Sequence, residues 1–213
     1  MMPSPLWITQ AMTSTPRRSS TQPRRKDRRL EDDAWLDRFL SRAPFGHLAV
    51  CHEDGPHLHS NLFWYDGEAV WLHTAPAGRL LDLVRAGAAR ACFTVAEHGR
   101  ILPSYTPLEF STEYASVLVY GHLEVVTDLA TKRRGLEGLM TKYAPHLVPG
   151  VDYTPMPDKD VARTAVFRLA VTERVGKHNI KPDDCPAYPF PGESFIDAER
   201  AAGRITVKPG GGD

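Results

Sequence analysis

In the stretch WLHTAPAGRLLDL, residues 71–83, His73 and Thr74 lie just ahead of Arg79, across a turn that contains Pro76 and Gly78. The stretch opens with strand-like residues and closes with helical spacing. Pro76 sets φ for a first helical turn, and Gly78 lets another group come close to the backbone. The first amides of a helix point outward unpaired and carry positive partial charge, so such a corner suits an anion. Arg79 adds a permanent planar cation that can grip a phosphate through two donors. A capped helix with a solvated arginine explains the same residues equally well. An imidazole near its ordinary pKa of about 6.5, such as His73, can also donate or accept a proton at neutral pH.

Other groups with chemical potential are weaker. His57 and His59 alternate onto one strand face with His52 across the turn. Three imidazoles can bind a transition metal, but exposed hairpin residues are the better reading, and no metal is expected. His122 reads as a wall residue of a strand. Ser104 and Ser111 lack the G-x-S-x-G setting of a hydrolase nucleophile. Glu109 and Glu113 are candidate proton carriers with no sign of a shifted pKa. There is no G-x-x-x-x-G-K-[ST] and no G-x-G-x-x-G, which excludes a P-loop nucleotidase and a Rossmann dehydrogenase. Phe63, Trp64, Tyr65 and Trp71 can flank a flat ring, although filling a core is the commoner fate of such residues.

The elements that must position these groups follow from periodicity. Glu31 to Ala43 has Trp35, Leu36, Phe39 and Leu40 on one face with acids in the first turn, which predicts an amphipathic helix. Gly46 to His52, Pro56 to Tyr65 and Glu68 to His73, separated by Asp-Gly turns, predict a meander of three hairpin strands. Ala88 to Gly99 and Glu113 to Asp128 read as further strands, Leu129 to Leu147 as a helix, and Arg163 to Lys177 as a final strand. A Pro-rich tail follows, with a short helix near 195–202. About six strands joined mostly by hairpins predict a mainly β chain, a closed antiparallel barrel rather than a doubly wound parallel sheet.

Composition narrows the partners. The chain has 213 residues, with Lys+Arg 26 balanced by Asp+Glu 26, so no global field favours nucleic acid or an anionic membrane. No apolar run approaches the ~20 residues that span a bilayer, and no secretion signal is read. Cys51, Cys92 and Cys185 are odd in number and widely spaced, which predicts buried free thiols in a reducing cytoplasm. Residues 1–29, with the basic run RRKDRR, are expected to form a disordered, solvated arm. Residues 30–180 form the main domain, and 181–213 a Pro/Gly-rich extension.

Five elements, FGHLAV, SNLFWYDG, VWLHTAPAGRL, GRILPSYTPLEFSTEYASVLVYG and VGKHN, occur in the order of a known group. The chain resembles the flavin-binding split β-barrels related to pyridoxamine 5′-phosphate oxidase, over roughly residues 30–180. The resemblance is closest to the nitroimidazole-resistance (Nim-type) branch, whose spacing of Leu102-Pro103-Ser104, Pro107-Leu108-Glu109 and Tyr114-x-Ser116-Val117 is the most specific part. It implies a six-stranded antiparallel split β-barrel and a homodimer with FMN in clefts at the subunit interface. It further implies that His73, Thr74 and Arg79 face the FMN phosphate side, that Ser60, Asn61 and Leu62 run along the isoalloxazine edge, and that Lys177 contacts the phosphate or the partner chain. His73 takes the position given a catalytic role in that branch. The Arg and Lys set of the true pyridoxamine-phosphate oxidases is absent, so that substrate is not expected.

The function this implies is an FMN-dependent, nitroreductase-like oxidoreductase acting on a small planar acceptor such as a nitroimidazole. The alternative is a non-catalytic flavin- or haem-binding sensor or carrier, or a related barrel that uses a deazaflavin.

Overall fold

The computed structural model describes residues 25–53, 55–190, 192 and 195–204. Most of the expected arm and the glycine-rich end therefore lie outside the described residues, as does Asp54 of the first Asp-Gly turn. Residues are grouped by their contacts into two units. The first runs through residue 96 and from Ser116 to His178, and the second comprises Glu97–Ala115 and the chain from Asn179 onward.

In the first unit, a two-residue strand β1 (Arg29–Leu30) precedes helix α1 (Asp33–Arg42). Asp32 caps α1 by accepting from the Trp35 amide, which satisfies one of the unpaired amides of the first turn. Leu36 and Leu40 of α1 are buried, as the helical spacing requires. Strands β2 (Gly46–His52) and β3 (Gly55–Asn61) form a hairpin in which Leu48 pairs with His59 and Val50 with His57. Strand β4 (Trp64–Tyr65) pairs with β5 (Ala69–Thr74).

The expected meander is thus interrupted. The run Pro56 to Tyr65 is two strands, broken at Leu62-Phe63. The Tyr143 hydroxyl accepts from the Phe63 amide at 3.0 Å and lies within donating distance of the Phe63 and Pro44 carbonyls, so the break is clamped rather than loose. β5 pairs not with β3 but with β8 (Ala165–Asn179), with His73 opposite Val166 and Thr74 opposite Ala165.

With β6 (Arg90–Leu102) and β7 (Ser111–Val126) the sheet runs in the order β3-β2-β6-β7-β8-β5-β4, and β1 is added on β8. Eight described strands stand where about six were expected, because the run Pro56 to Tyr65 is split into β3 and β4 and the two-residue β1 is too short to leave a periodic signal. The mainly β, split-barrel reading holds, but the sheet is open rather than closed. Its two ends, β3 and the β4–β5 hairpin, are linked by one side chain: Asn61 Nδ2 donates to the His73 carbonyl at 2.7 Å.

β5 is buried on both faces. Val70 and Leu72 enter a large core with Phe63, Phe93 and Phe167, while Ala69 and Trp71 enter a second core with Leu136 and Leu139 of α3 (Leu129–Tyr143) and Val161 of α4 (Asp158–Arg163). α4 lies between the expected helix and the final strand, where no element is expected from the sequence. Its six residues give too short a window for helical periodicity. Phe63, Tyr65 and Trp71 are buried, so these aromatics fill cores. All three cysteines are free, but Cys51 is exposed and the other two are half-buried, so they are not the buried thiols expected.

The second unit continues β6 and β7 around a loop containing a short 3-10 turn (Pro107–Glu109), and Tyr188 forms an antiparallel bridge with Ile101 of β6. Its described helix α5 spans Phe195–Ala201. Among the described residues, no helix is long and apolar enough to cross a membrane.

Candidate functional site

β5 ends at Thr74 and β8 begins at Ala165. Their pairing sets the segment leaving β5 beside the segment entering β8. Between them lies a cavity of ≈ 500 Å³ lined by His73, Thr74, Ala75, Pro76, Arg163 and Thr164. Its volume falls within the range typical of small-molecule sites.

His73 is half-buried, and burial lowers its pKa from the ordinary 6.5. It is therefore neutral near pH 7, with one ring nitrogen donating and the other accepting. Its Nδ1 is buried and has no hydrogen-bond partner among the described residues. Buried polar atoms are normally satisfied, so an unsatisfied one beside a cavity points to a missing ligand atom or water. The Thr74 hydroxyl donates to the Ala75 carbonyl at 2.9 Å. Thr164 is fixed from two sides: its hydroxyl donates to the Asp160 carbonyl, and its carbonyl accepts from Lys132 Nζ at 2.9 Å. Arg163 pairs with Asp160 at 3.2 Å while its side chain stays 76% exposed, so most of its donors are available.

Asn61 joins this group through the His73 carbonyl. Its own Oδ1 accepts from the Leu62 amide at 2.8 Å, which fixes the turn that leaves Leu62 exposed. Ser60 points to the other face of β3, where its hydroxyl meets His47 Nδ1 at 2.8 Å. Arg79 opens α2 (Arg79–Arg85) and is exposed, but it is not part of the cavity wall. The helix starts at Arg79, later than its placement over Pro76 implied. Gly78 precedes it with φ 134°, a conformation that only glycine adopts without strain.

Lys177 is not at this corner of its own chain. It lies eleven residues along β8 from the partner of His73, up to about 36 Å at an extended strand's rise. There it pairs across the strands with Arg29.

The sequence reading missed Arg163 and Thr164. Nothing local marks them, since they meet His73 only through the β5–β8 register. His57 and His59 stack with centroids 6.3 Å apart, and burial, followed by the charge of His57, lowers the pKa of His59. Among the described residues, no group of three His, Cys, Asp or Glu is arranged to hold a metal ion.

Comparison with known proteins places this geometry in a family. The family model described as pyridoxamine 5′-phosphate oxidase matches residues 32–178. The chain belongs to this family. No curated protein matches it. Among solved structures it is similar to a putative 5-nitroimidazole antibiotic resistance protein from Bacteroides thetaiotaomicron, at 20% identity and a TM-score of 0.59, covering 70% of this chain and 86% of that one. The flavocytochrome Anf3 from Azotobacter vinelandii matches at 21% and 0.68, covering 90% and 88%. An FAD- and heme-binding protein from Mycobacterium smegmatis matches at 21% and 0.64, covering 83% and 80%. At these identities the structural likeness speaks for the fold, which is the flavin-binding, pyridoxamine-phosphate-oxidase-like one.

Proposed function

We propose that the protein is a cytoplasmic FMN-dependent oxidoreductase that reduces a small planar acceptor such as a nitroimidazole-type nitro-aromatic. The observation that carries this reading is the buried, unpartnered Nδ1 of His73 beside the cavity at the end of β5. The lining fits a phosphate-bearing flavin: a hydroxyl, an imidazole and the accessible cation of Arg163 stand together, and Arg79 emerges five residues beyond Thr74. FMN would supply the storage and delivery of electrons.

Thr74, Arg79 and Arg163 hold the phosphate, where guanidinium forks suit its geometry. Asn61 fixes the backbone of His73, and Leu62 offers an apolar contact along the ring edge beside Ser60. His73 holds or passes a proton at Nδ1, and its neutral state lets it do either. The protein works as a homodimer with the flavin at the subunit interface, and Lys177 of each chain serves the site of the other. This accounts for its distance from His73 within one chain.

The test is reduction of a nitroimidazole by the purified, flavin-loaded protein with NAD(P)H, compared with His73→Gln. Turnover that falls in the variant at unchanged flavin content supports the proposal. Bound flavin without turnover toward any acceptor favours a second reading, a flavin- or haem-carrying module. The likeness to a flavocytochrome and to an FAD- and heme-binding protein supports that alternative. A Soret band in the purified protein would decide for it.

A further inference from the structure

α4 is six residues long, yet it brings two residues to the cavity wall, Arg163 at its last position and Thr164 just beyond. A helix this short is not stable by itself, and the carbonyls of its last turn carry negative partial charge. Left bare beside the cavity, they would repel an anion. They are covered instead. The Thr164 hydroxyl donates to the Asp160 carbonyl at 2.8 Å, and the Thr164 amide to the Val161 carbonyl at 3.3 Å. Lys132 Nζ donates to the Ala162 carbonyl and to the Thr164 carbonyl, both at 2.9 Å, so one ammonium bridges the backbone on either side of Arg163. Lys132 stands four residues after Asp128, the N-cap of α3. A cation there opposes the dipole of its own helix, so α3 gains nothing from it. At the other end of α4, Arg133 donates to the Met156 carbonyl at 2.8 Å and to the Asp158 carboxylate at 2.5 Å.

We infer that Lys132 is a positioning residue for the flavin phosphate, and that through Arg163 and Thr164 it sets the preference of the site for a phosphorylated flavin over the bare ring system. The inference rests on the reading that FMN occupies this cavity, and it adds a residue that lies outside the cavity lining. The Arg163 side chain is 76% exposed, with Asp160 of the same helix as its ion-pair partner, so its aim depends on the backbone that carries it. By holding that backbone from both sides, Lys132 reduces the freedom lost when the guanidinium meets a phosphate. Its charge also offsets the carbonyl dipoles at the end of α4. Lys132 is half-buried, and salt screens such a charge less than an exposed one.

The test titrates FMN and riboflavin into the parent, Lys132→Met and Lys132→Arg, with a thermal melt on each. Methionine keeps the stem but has no donor, whereas arginine keeps both charge and donors. Lys132→Met is expected to bind FMN at least about tenfold more weakly at unchanged riboflavin affinity, and Lys132→Arg to recover part of that loss. If Lys132→Met does not fold, Lys132→Gln, which can serve one carbonyl and carries no charge, is read in the same way. A preference for FMN as large in the methionine or glutamine variant as in the parent overturns the inference and leaves the phosphate site standing. Equal weakening of both ligands also overturns it, because general loosening of the corner has that effect. A parent that does not distinguish FMN from riboflavin overturns the phosphate reading itself.

Discussion

The two units of the chain are held together by different physics. In the first, β5 is packed between two cores, and side chains such as Phe63, Phe93, Phe167 and Trp71 are removed from water almost entirely. In the second, a buried carboxylate and its partners do the work, and the large apolar side chains stay outside. Burial of apolar area does not depend on the protonation of any group, whereas a charged cluster loses its strength once one partner is protonated. The first unit should therefore resist conditions that open the second.

The largest separation is expected from core truncation. Phe93 is fully buried, with its ring 4.7 Å from that of Phe63. Phe93→Ala should destabilise the chain by about 3–5 kcal/mol in denaturant unfolding. Next comes overpacking. Gly138 lies in α3, where alanine is normally the better helix former, but a Cβ there would fall 2.1 Å from the Trp64 ring. Gly138→Ala should cost about 1–3 kcal/mol, and a gain in stability would show that the α3–β4 contact is misplaced.

The complementary break is in the second unit. The hydrogen-bonded Arg100 guanidinium, followed by the Lys181 amide, pushes the Glu113 carboxyl down to about 2 from an ordinary 4.5. Its folded pKa is depressed, so its contribution is full above about pH 4.5 and is lost as pH falls toward 2. Amide exchange in 97–115 should rise over that window while the core amides of β5 and β8 stay protected. Glu113→Gln should produce the same opening at neutral pH, with a melting temperature lowered by only a few degrees.

His59 and His73 both have lowered pKa values, so their protonation opposes the fold, and stability should decline as pH falls below 6.5. This loss precedes the opening of the second unit, and the two can be read separately by thermal melts and hydrogen exchange.

The smallest effect is expected at Lys142. Its Nζ lies 3.5 Å from the Phe63 ring centroid, and burial lowers its pKa to about 8 from 10.5. The penalty is full below about pH 8 and is relieved as pH rises toward 10.5. Lys142→Met should remove that alkaline gain while leaving stability at pH 7 within about 1 kcal/mol of the parent, because solvent screens a half-buried charge and the ring contact offsets part of the cost.

Much of this was legible in the sequence because it is periodic. The α1 face, strand β2 and the long runs of β6, β7 and β8 all show the spacing that their burial imposes. What escaped was set by distant contacts. The break at Leu62-Phe63 exists because Tyr143, eighty residues later, clamps that backbone. The exchange of β3 for β8 beside β5 left no local mark, and Arg163 came to the His73 corner only through that exchange. His73, Thr74 and Arg79 were singled out by the chemistry of the turn and helix start, whereas Asn61 was expected only from the family resemblance. Lys177 was expected only from the resemblance, and neither it nor Arg79 lines the cavity in the single chain.

The most direct test of the phosphate anchor compares FMN with riboflavin, which lacks only the phosphate, by titrating each into the parent and into Arg79→Ala, Arg163→Ala. The parent should bind FMN more tightly than riboflavin by at least about tenfold, a preference that disappears in the double variant while riboflavin affinity is unchanged. A preference for FMN that survives both substitutions would contradict a phosphate site at the end of β5.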